Sequence, residues 1–265
     1  HTDYNQTGTV TGRVSSSNPN LQNIPIRTDL GRQVRRAFIA PRGNQLISAD
    51  YSQVELRILA HIAHDPGLLQ AFARGQDIHA MTAARLFNVP LDQVTSAQRQ
   101  LGKTINFGIA YGITDYGVAA RTELSQTESR QLIDNYFTQF AQVKAYIEST
   151  KREARERGYV QTTLGRRRYF PELRAGFKGN PGMRNSAERE AINMPIQGSA
   201  ADIIKLAMIR LHRELIERKL NSRMILQVHD ELVLECPDDE VSRVVPLVRE
   251  IMENAYVLES KLKVD

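Results

Sequence analysis

Apolar positions along this chain follow two periods, one of strands and one of helices. Met224-Ile-Leu-Gln-Val228 and Leu232-Val-Leu234 are short apolar runs around His229-Asp230-Glu231. Runs of this length rich in Val, Ile and Leu predict buried strands, and the polar triplet predicts the tip of a hairpin. Gln45-Leu-Ile-Ser-Ala-Asp50 is a similar run that ends on a carboxylate. Thr7 to Val14 alternates like a hairpin strand, and Ser15 to Pro25 then passes through turn chemistry. Residues 159–170 predict a second hairpin around Gly165, and Lys263-Val-Asp265 the start of a further strand.

Helical spacing begins after Tyr51, with Val54, Leu56, Ile58, Leu59 and Ile62 apolar, and ends near Asp65-Pro66-Gly67. Asp77 has the place of a cap for a helix carrying His79 in its first turn. Thr95-Ser-Ala-Gln98 and Ser125-Gln-Thr-Glu128 match capping boxes. The first opens a helix that Gly112 stops. The second opens one long helix through Tyr136, Phe140, Val143 and Ile147 to Gly158. Residues 174–186 are rich in Gly, Asn and Arg without periodicity and predict a mobile loop. A strong amphipathic helix is expected over Ala200 to Leu220, with Gln197 just before it. Pro237-Asp-Asp-Glu240 is expected to cap a last helix over roughly 239–257.

Composition narrows the class. A chain of 265 residues with 41% hydrophobic content buries a sizeable core, as one large domain or two intimate subdomains. The net charge of +5 is unevenly spread: residues 1–45 hold six Arg against two Asp, and 237–265 hold seven acids against four bases. That asymmetry suits a protein that clamps a polyanion on one side. Cys236 is the only cysteine, so no intrachain disulfide forms and a reducing compartment is expected. No apolar run reaches the ~18 residues that span a bilayer. Both ends look cut, and the chain reads as a fragment of a longer polypeptide.

Candidate chemistry begins with carboxylates. Asp230 and Glu231 beside a core strand are costly without a cation, and a divalent metal is the usual partner for such oxygens. The competing reading is a solvated acidic turn. Asp50 is the second carboxylate the metal reading needs; alone it reads as a helix cap. Glu55, five residues on, reads by itself as a surface acid. In the Thr95 helix, Arg99, Lys103, Phe107 and Tyr111 recur every fourth residue. Four residues advance a helix by about 400°, so the stripe drifts only about 40° per step and covers about 18 Å. Two cations at the positive end suit phosphates, and two aromatics further along suit a sugar and base. The competing reading makes the aromatics core and the cations solvated. His79 is a weaker phosphate candidate at a helix N-terminus. Arg27, Arg32, Arg35 and Arg36 form a basic cluster suited to phosphates or simply to solvent.

Together these stretches resemble the polymerase domain of family A DNA polymerases. Asp50-Tyr-Ser-Gln-Val-Glu-Leu-Arg57 is similar to the first palm motif, and Arg99-xxx-Lys103-xxx-Phe107-xxx-Tyr111-Gly112 to the fingers motif. Gln227-Val-His-Asp-Glu231 is similar to the second palm motif. Thr11 to Pro25 and Asn193-Met-Pro-Ile-Gln-Gly198 are similar to primer- and template-contacting segments.

The resemblance implies an α+β right-hand polymerase with the thumb largely missing. Residues 1–60 and 159–265 would form an antiparallel palm sheet, and helical fingers over 61–158 would be inserted between them. It implies two Mg²⁺ ions held by Asp50, Asp230 and the Tyr51 carbonyl, with Glu231 in support. It assigns the nucleotide to Gln53, Glu55, His79, Arg99, Lys103, Phe107 and Tyr111. Among these, Lys103 is a candidate acid for pyrophosphate and Glu55 a steric gate against a ribose 2′-hydroxyl. Phe at 107 implies discrimination against nucleotides lacking the 3′-hydroxyl. DNA falls to Arg13, Asn23, Arg27, Asn193, Gln197 and His229, and template to Arg189. The implied partners are primer–template DNA and dNTP, for a monomer in the bacterial cytoplasm at the nucleoid, with no membrane. The function implied is template-directed DNA synthesis. Its rivals are a single-subunit RNA polymerase relative, which Glu55 and Gln-Val-His-Asp-Glu oppose, and a non-catalytic primer–template binding module.

Overall fold

A computed structural model describes residues 1–25 and 28–265. In chain order its elements are β1 (Asp3–Asn5), β2 (Ser15–Ser17), α1 (Asp29–Arg36), β3 (Asn44–Asp50), α2 (Val54–Ala63), α3 (Pro66–Ala73) and α4 (Ile78–Phe87). There follow α5 (Ser96–Ala110), α6 (Asp115–Ala119), α7 (Gln126–Gln139), α8 (Ala141–Arg157), β4 (Tyr159–Gln161) and β5 (Arg167–Tyr169). The chain closes with α9 (Pro181–Glu217), β6 (Arg223–Val228), β7 (Glu231–Pro237) and α10 (Val241–Glu253). Helices and antiparallel strands mix in an α+β fold, divided into two units.

The first unit comprises residues 1–54, 200–257 and 262–265. Its centre is the antiparallel sheet β3-β7-β6, in which β3 pairs with β7 from Asn44↔Pro237 to Asp50↔Glu231. Leu232, Leu234 and Cys236 alternate inward along β7 and are fully buried. The α10 helix packs on β3 and β7 with Val244, Val248 and Met252 buried. Pro237-Asp-Asp-Glu240 does not cap α10 as expected. The Glu240 carboxylate instead accepts from the backbone N–H groups of Asn221 and Ser222, at 2.9 and 3.0 Å, and from the Ser222 hydroxyl at 2.7 Å. Burial pushes its pKa up, but these donors hold it below the usual carboxylate range. Thr7 to Val14 is not a strand either. It is the connection between β1 and β2, which pair with each other, and Gly12 bends it with φ 82°. Arg32, Arg35 and Arg36 lie on α1, a helix whose only buried residue is Gly31. Arg27 lies outside the described residues.

The second unit comprises residues 55–199 and 258–261. Capping boxes form at Thr95 and Ser125, and Asp77 accepts from the N–H groups of His79 and Ala80. The α5 helix lies on α4 at close range: a Cβ on Gly102 would stand 2.3 Å from the His79 carbonyl oxygen. The long helix expected from Ser125 breaks at Phe140, where φ −120° and ψ 63° leave the helical region. Phe140 is buried with its ring 4.7 Å from that of Tyr136. Residues 181–186, expected in a mobile loop, are the first turns of α9. That helix runs on through Pro195, so Gln197 sits within it rather than ahead of it. The β4–β5 hairpin turns at Gly165 (φ 84°), and Val160, Phe170, Ala187, Ala191 and Met194 share a core with Ala154 of α8.

Candidate active site

In the first unit, the β6–β7 turn is only His229-Asp230, with His229 in the left-handed region at φ 55°. That tight reversal puts Asp230 at the end of the sheet, beside the end of β3. The Tyr51 N–H donates to the Asp230 carbonyl at 3.1 Å, and Asp50 stands opposite Glu231. Asp50 also exchanges backbone hydrogen bonds with Asp265 at 3.1 and 3.0 Å. Burial raises the Asp50 carboxyl pKa, and the charges of Glu231 and Asp265 raise it further. Burial raises Asp230 as well; Arg13, 3.6 Å away, offsets part of this, while Asp50 adds to it. Asp230 thus feels the Asp50 charge, and both carboxyls hold a proton more readily than an exposed one. Glu231 is held by the Ser48 hydroxyl. Tyr51 is buried and donates its hydroxyl to the Met252 carbonyl at 2.7 Å, which leaves only its main chain for ligation.

These residues fit a divalent cation. The donors are hard oxygens, and a cation would offset the burial and repulsion that raise both pKa values. No trio of His, Cys, Asp or Glu is assembled for a metal among the described residues. The remaining oxygens would come from the main chain, water or substrate, as Mg²⁺ commonly requires.

The loop carrying Arg13 is fastened to the β6–β7 hairpin. Tyr4 donates its hydroxyl to the Gln227 carbonyl at 3.0 Å and accepts from the Gln227 N–H at 2.9 Å. Gln22 bridges the carbonyls of Val14 and Gln227 through its side-chain amide, at 3.2 and 3.1 Å. Asn23 beside it is exposed, and Gln53 is half-buried with φ 54°. Tyr4, Gln22, Ser48 and Asp265 went unnoticed in the sequence, because their partners lie far along the chain.

In the second unit, α5 buries Gly102, Ile105, Asn106, Ile109 and Ala110. Arg99, Lys103 and Tyr111 are exposed and Phe107 is half-buried, so neither aromatic of the stripe is a core residue. Arg99 Nε is 2.6 Å from Asp77 Oδ2. His79 is buried with its ring 5.6 Å from that of Phe107. Burial pushes its pKa down to about 4; Asp77 pulls upward while Arg99 and Lys103 push down, so the ring is neutral at pH 7. Glu55 is not a surface acid: it is 5% exposed and accepts from the Tyr111 hydroxyl at 2.7 Å. Arg189 is exposed and borders a cavity of about 600 Å³ shared with Phe107, Tyr111, Thr114, Tyr116 and Arg121. Asn193 is buried with Nδ2 lacking a hydrogen-bond partner.

The family model described as DNA polymerase family A matches residues 1–265, and the chain belongs to that family. It is 52% identical over 256 residues to DNA polymerase I of Chloroflexus aurantiacus, covering 97% of this chain and 27% of that protein. It is 49% identical over 265 residues to the thermostable DNA polymerase I of Thermus aquaticus, covering 100% of this chain and 31% of that protein. A solved polymerase domain of Pol1 from M. smegmatis, in complex with DNA primer–template and dNTP, superposes with TM-score 0.95 at 48% identity. That match covers 100% of this chain and 46% of the solved one. The chain thus spans less than a third of the length of these curated relatives.

Proposed function

We propose that the chain carries the catalytic centre of a template-directed DNA polymerase. It would transfer a deoxynucleotidyl group from dNTP to a primer 3′-hydroxyl, with release of pyrophosphate. The observation that carries this reading is the pair Asp50 and Asp230 at one end of the sheet, where the Tyr51 N–H donates to the Asp230 carbonyl and both carboxyl pKa values are raised, first by burial and then by neighbouring carboxylates. Two Mg²⁺ ions, when bound, would lower the pKa of the attacking hydroxyl and neutralise the triphosphate.

In this reading Asp50, Asp230 and the Tyr51 carbonyl hold the ions, and Glu231 supports them. Arg99 and Lys103 bind phosphates near the N-terminal, positive end of α5, and Lys103 donates a proton to the leaving pyrophosphate. His79 adds a hydrogen bond, Gln53 and Phe107 line the sugar, and Tyr111 stands at the templating position. Glu55 fills the space of a ribose 2′-hydroxyl, which favours DNA over RNA synthesis. Arg13, Asn23, Arg27, Asn193, Gln197 and His229 contact duplex, and Arg189 the template. The first unit corresponds to a palm and the second carries the fingers, in a monomer of the bacterial cytoplasm acting at DNA. The M. smegmatis relative was solved with primer–template and dNTP, which supports this choice of partners.

Primer extension tests it. Asp50→Ala or Asp230→Ala in the parent protein is expected to abolish incorporation while primer–template binding persists. Near-normal turnover would remove the metal assignment and favour the non-catalytic binding module.

A further inference from the structure

One buried amide is not used by the proposed mechanism. Asn106 lies on the inner face of α5, fully buried against α4. Its side-chain oxygen accepts from the Thr82 hydroxyl at 3.0 Å. Its side-chain nitrogen is 3.4 Å from the Ile78 carbonyl oxygen and 3.2 Å from His79 Nδ1. A main-chain carbonyl only accepts, so the end of the amide facing Ile78 is the NH₂ group. An NH₂ group only donates, so His79 Nδ1 is an acceptor and carries no hydrogen. A neutral imidazole has one N–H, and here it must sit on Nε2.

We propose that Asn106, oriented by Thr82 and the Ile78 carbonyl, is a positioning residue that holds His79 as the neutral Nε2–H tautomer, so that α4 offers the nucleotide's phosphate chain one uncharged N–H donor. The inference rests on the nucleotide reading above only for what the donor meets. The packing supports it. Gly102, one helical turn before Asn106, lets α5 approach the His79 carbonyl closely enough for these contacts, and Phe107 backs the ring. The charged groups near the ring are Asp77, Arg99 and Lys103, and the ring stays neutral among them. Charge neutralisation therefore falls to Arg99 and Lys103, while His79 supplies direction. An imidazolium there would add a third cation to the cluster, and the other tautomer would leave Nε2 without a hydrogen to donate.

The test has two independent arms on the whole chain. In the first, ¹⁵N-histidine NMR of the wild-type protein reads the ring nitrogens, with His79 identified by its loss in His79→Gln. The expected result is an unprotonated Nδ1 and a protonated Nε2 throughout pH 6–8. A protonated Nδ1, or an averaged mixture, overturns the proposal. In the second arm, Asn106→Leu removes the donor at similar volume. It is expected to raise the KM for dATP opposite template T about tenfold, the loss of one well-aimed hydrogen bond to a charged partner. In the His79→Gln background the same substitution is expected to change KM less than twofold, because the group it positions is gone. Equal effects in both backgrounds overturn the positioning role. If the chain incorporates no nucleotide, the nucleotide reading fails on its own, and the NMR arm on the wild-type protein still decides the tautomer.

Discussion

Tyr111 donates its hydroxyl to Glu55 Oε2 at 2.7 Å, joining the end of the α5 stripe to the first turn of α2. Glu55 is buried, and a buried carboxylate persists only where donors face it. The bond sets where the carboxylate stands, and the proposed gate depends on that position. Glu55→Ala is expected to raise ribonucleotide incorporation relative to deoxynucleotide by about a hundredfold, since a site built against a hydroxyl discriminates steeply. Tyr111→Phe, which leaves Glu55 with one donor fewer, is expected to relax selectivity less and to cost about 1–2 kcal/mol of stability. Competition between dNTP and NTP in primer extension measures both. An unchanged ratio in Glu55→Ala removes the gate.

What could be read in advance was whatever local chemistry dictates. The β6–β7 hairpin, the capping boxes at Thr95 and Ser125 and the one-sided stripe on α5 each follow from residues within a few positions of one another. The α1 helix was hidden because it is short, with only Leu30 and Val34 apolar among its eight residues. The first turns of α9 were hidden because residues 181–185 are exposed and show no buried apolar stripe. Pro195 looked like a boundary, yet the helix continues through it. Glu55 looked like a surface acid because its burial depends on Tyr111, 56 residues away. The bonds from Tyr4 to Gln227 and from Asp50 to Asp265 join opposite ends of the chain and leave no periodic trace.

Asp50 costs the metal-free fold stability at neutral pH. Its folded pKa lies above the ordinary value of 3.8, through burial and then Glu231 and Asp265. A carboxyl raised on folding binds protons more tightly in the native state, so it adds stability as pH falls through its folded pKa and costs stability at neutral pH. Asp50→Asn is therefore expected to raise the thermal midpoint of the metal-free protein at pH 7, with the gain shrinking toward acid pH. The same change should cut incorporation by about a thousandfold, the several kcal/mol of a metal-assisted step. A lower midpoint for Asp50→Asn in metal-free buffer would show that the repulsion is not real.

Gly102 sets two effects against each other. Replacing a helical Gly by Ala favours the helix by roughly 1 kcal/mol. Here the added carbon would meet the His79 carbonyl oxygen at 2.3 Å, a backbone atom that cannot swing aside. Overpacking of this kind costs about 1–3 kcal/mol, so the clash should win and push α5 away from α4. Gly102→Ala is expected to lower the denaturant midpoint and to raise the KM for dNTP. A stabilised variant would mean that the two helices do not approach so closely.

His79 makes the α4–α5 contact sensitive to acid. Its pKa is about 4 in the folded chain against 6.5 ordinarily, chiefly through burial. Between those values the unfolded chain binds a proton that the native one refuses, so stability rises with pH across that window. The contribution is complete above about pH 6.5, is lost as pH falls toward 4 and changes no further below it. A shift of this size corresponds to roughly 3–4 kcal/mol at most. Urea unfolding at intervals from pH 4 to 8 is expected to show a steeper loss for the wild type than for His79→Gln, which cannot take up that proton. Parallel pH profiles would mean that the ring is already accessible to protons in the folded chain, and the argument that burial keeps it neutral would fail.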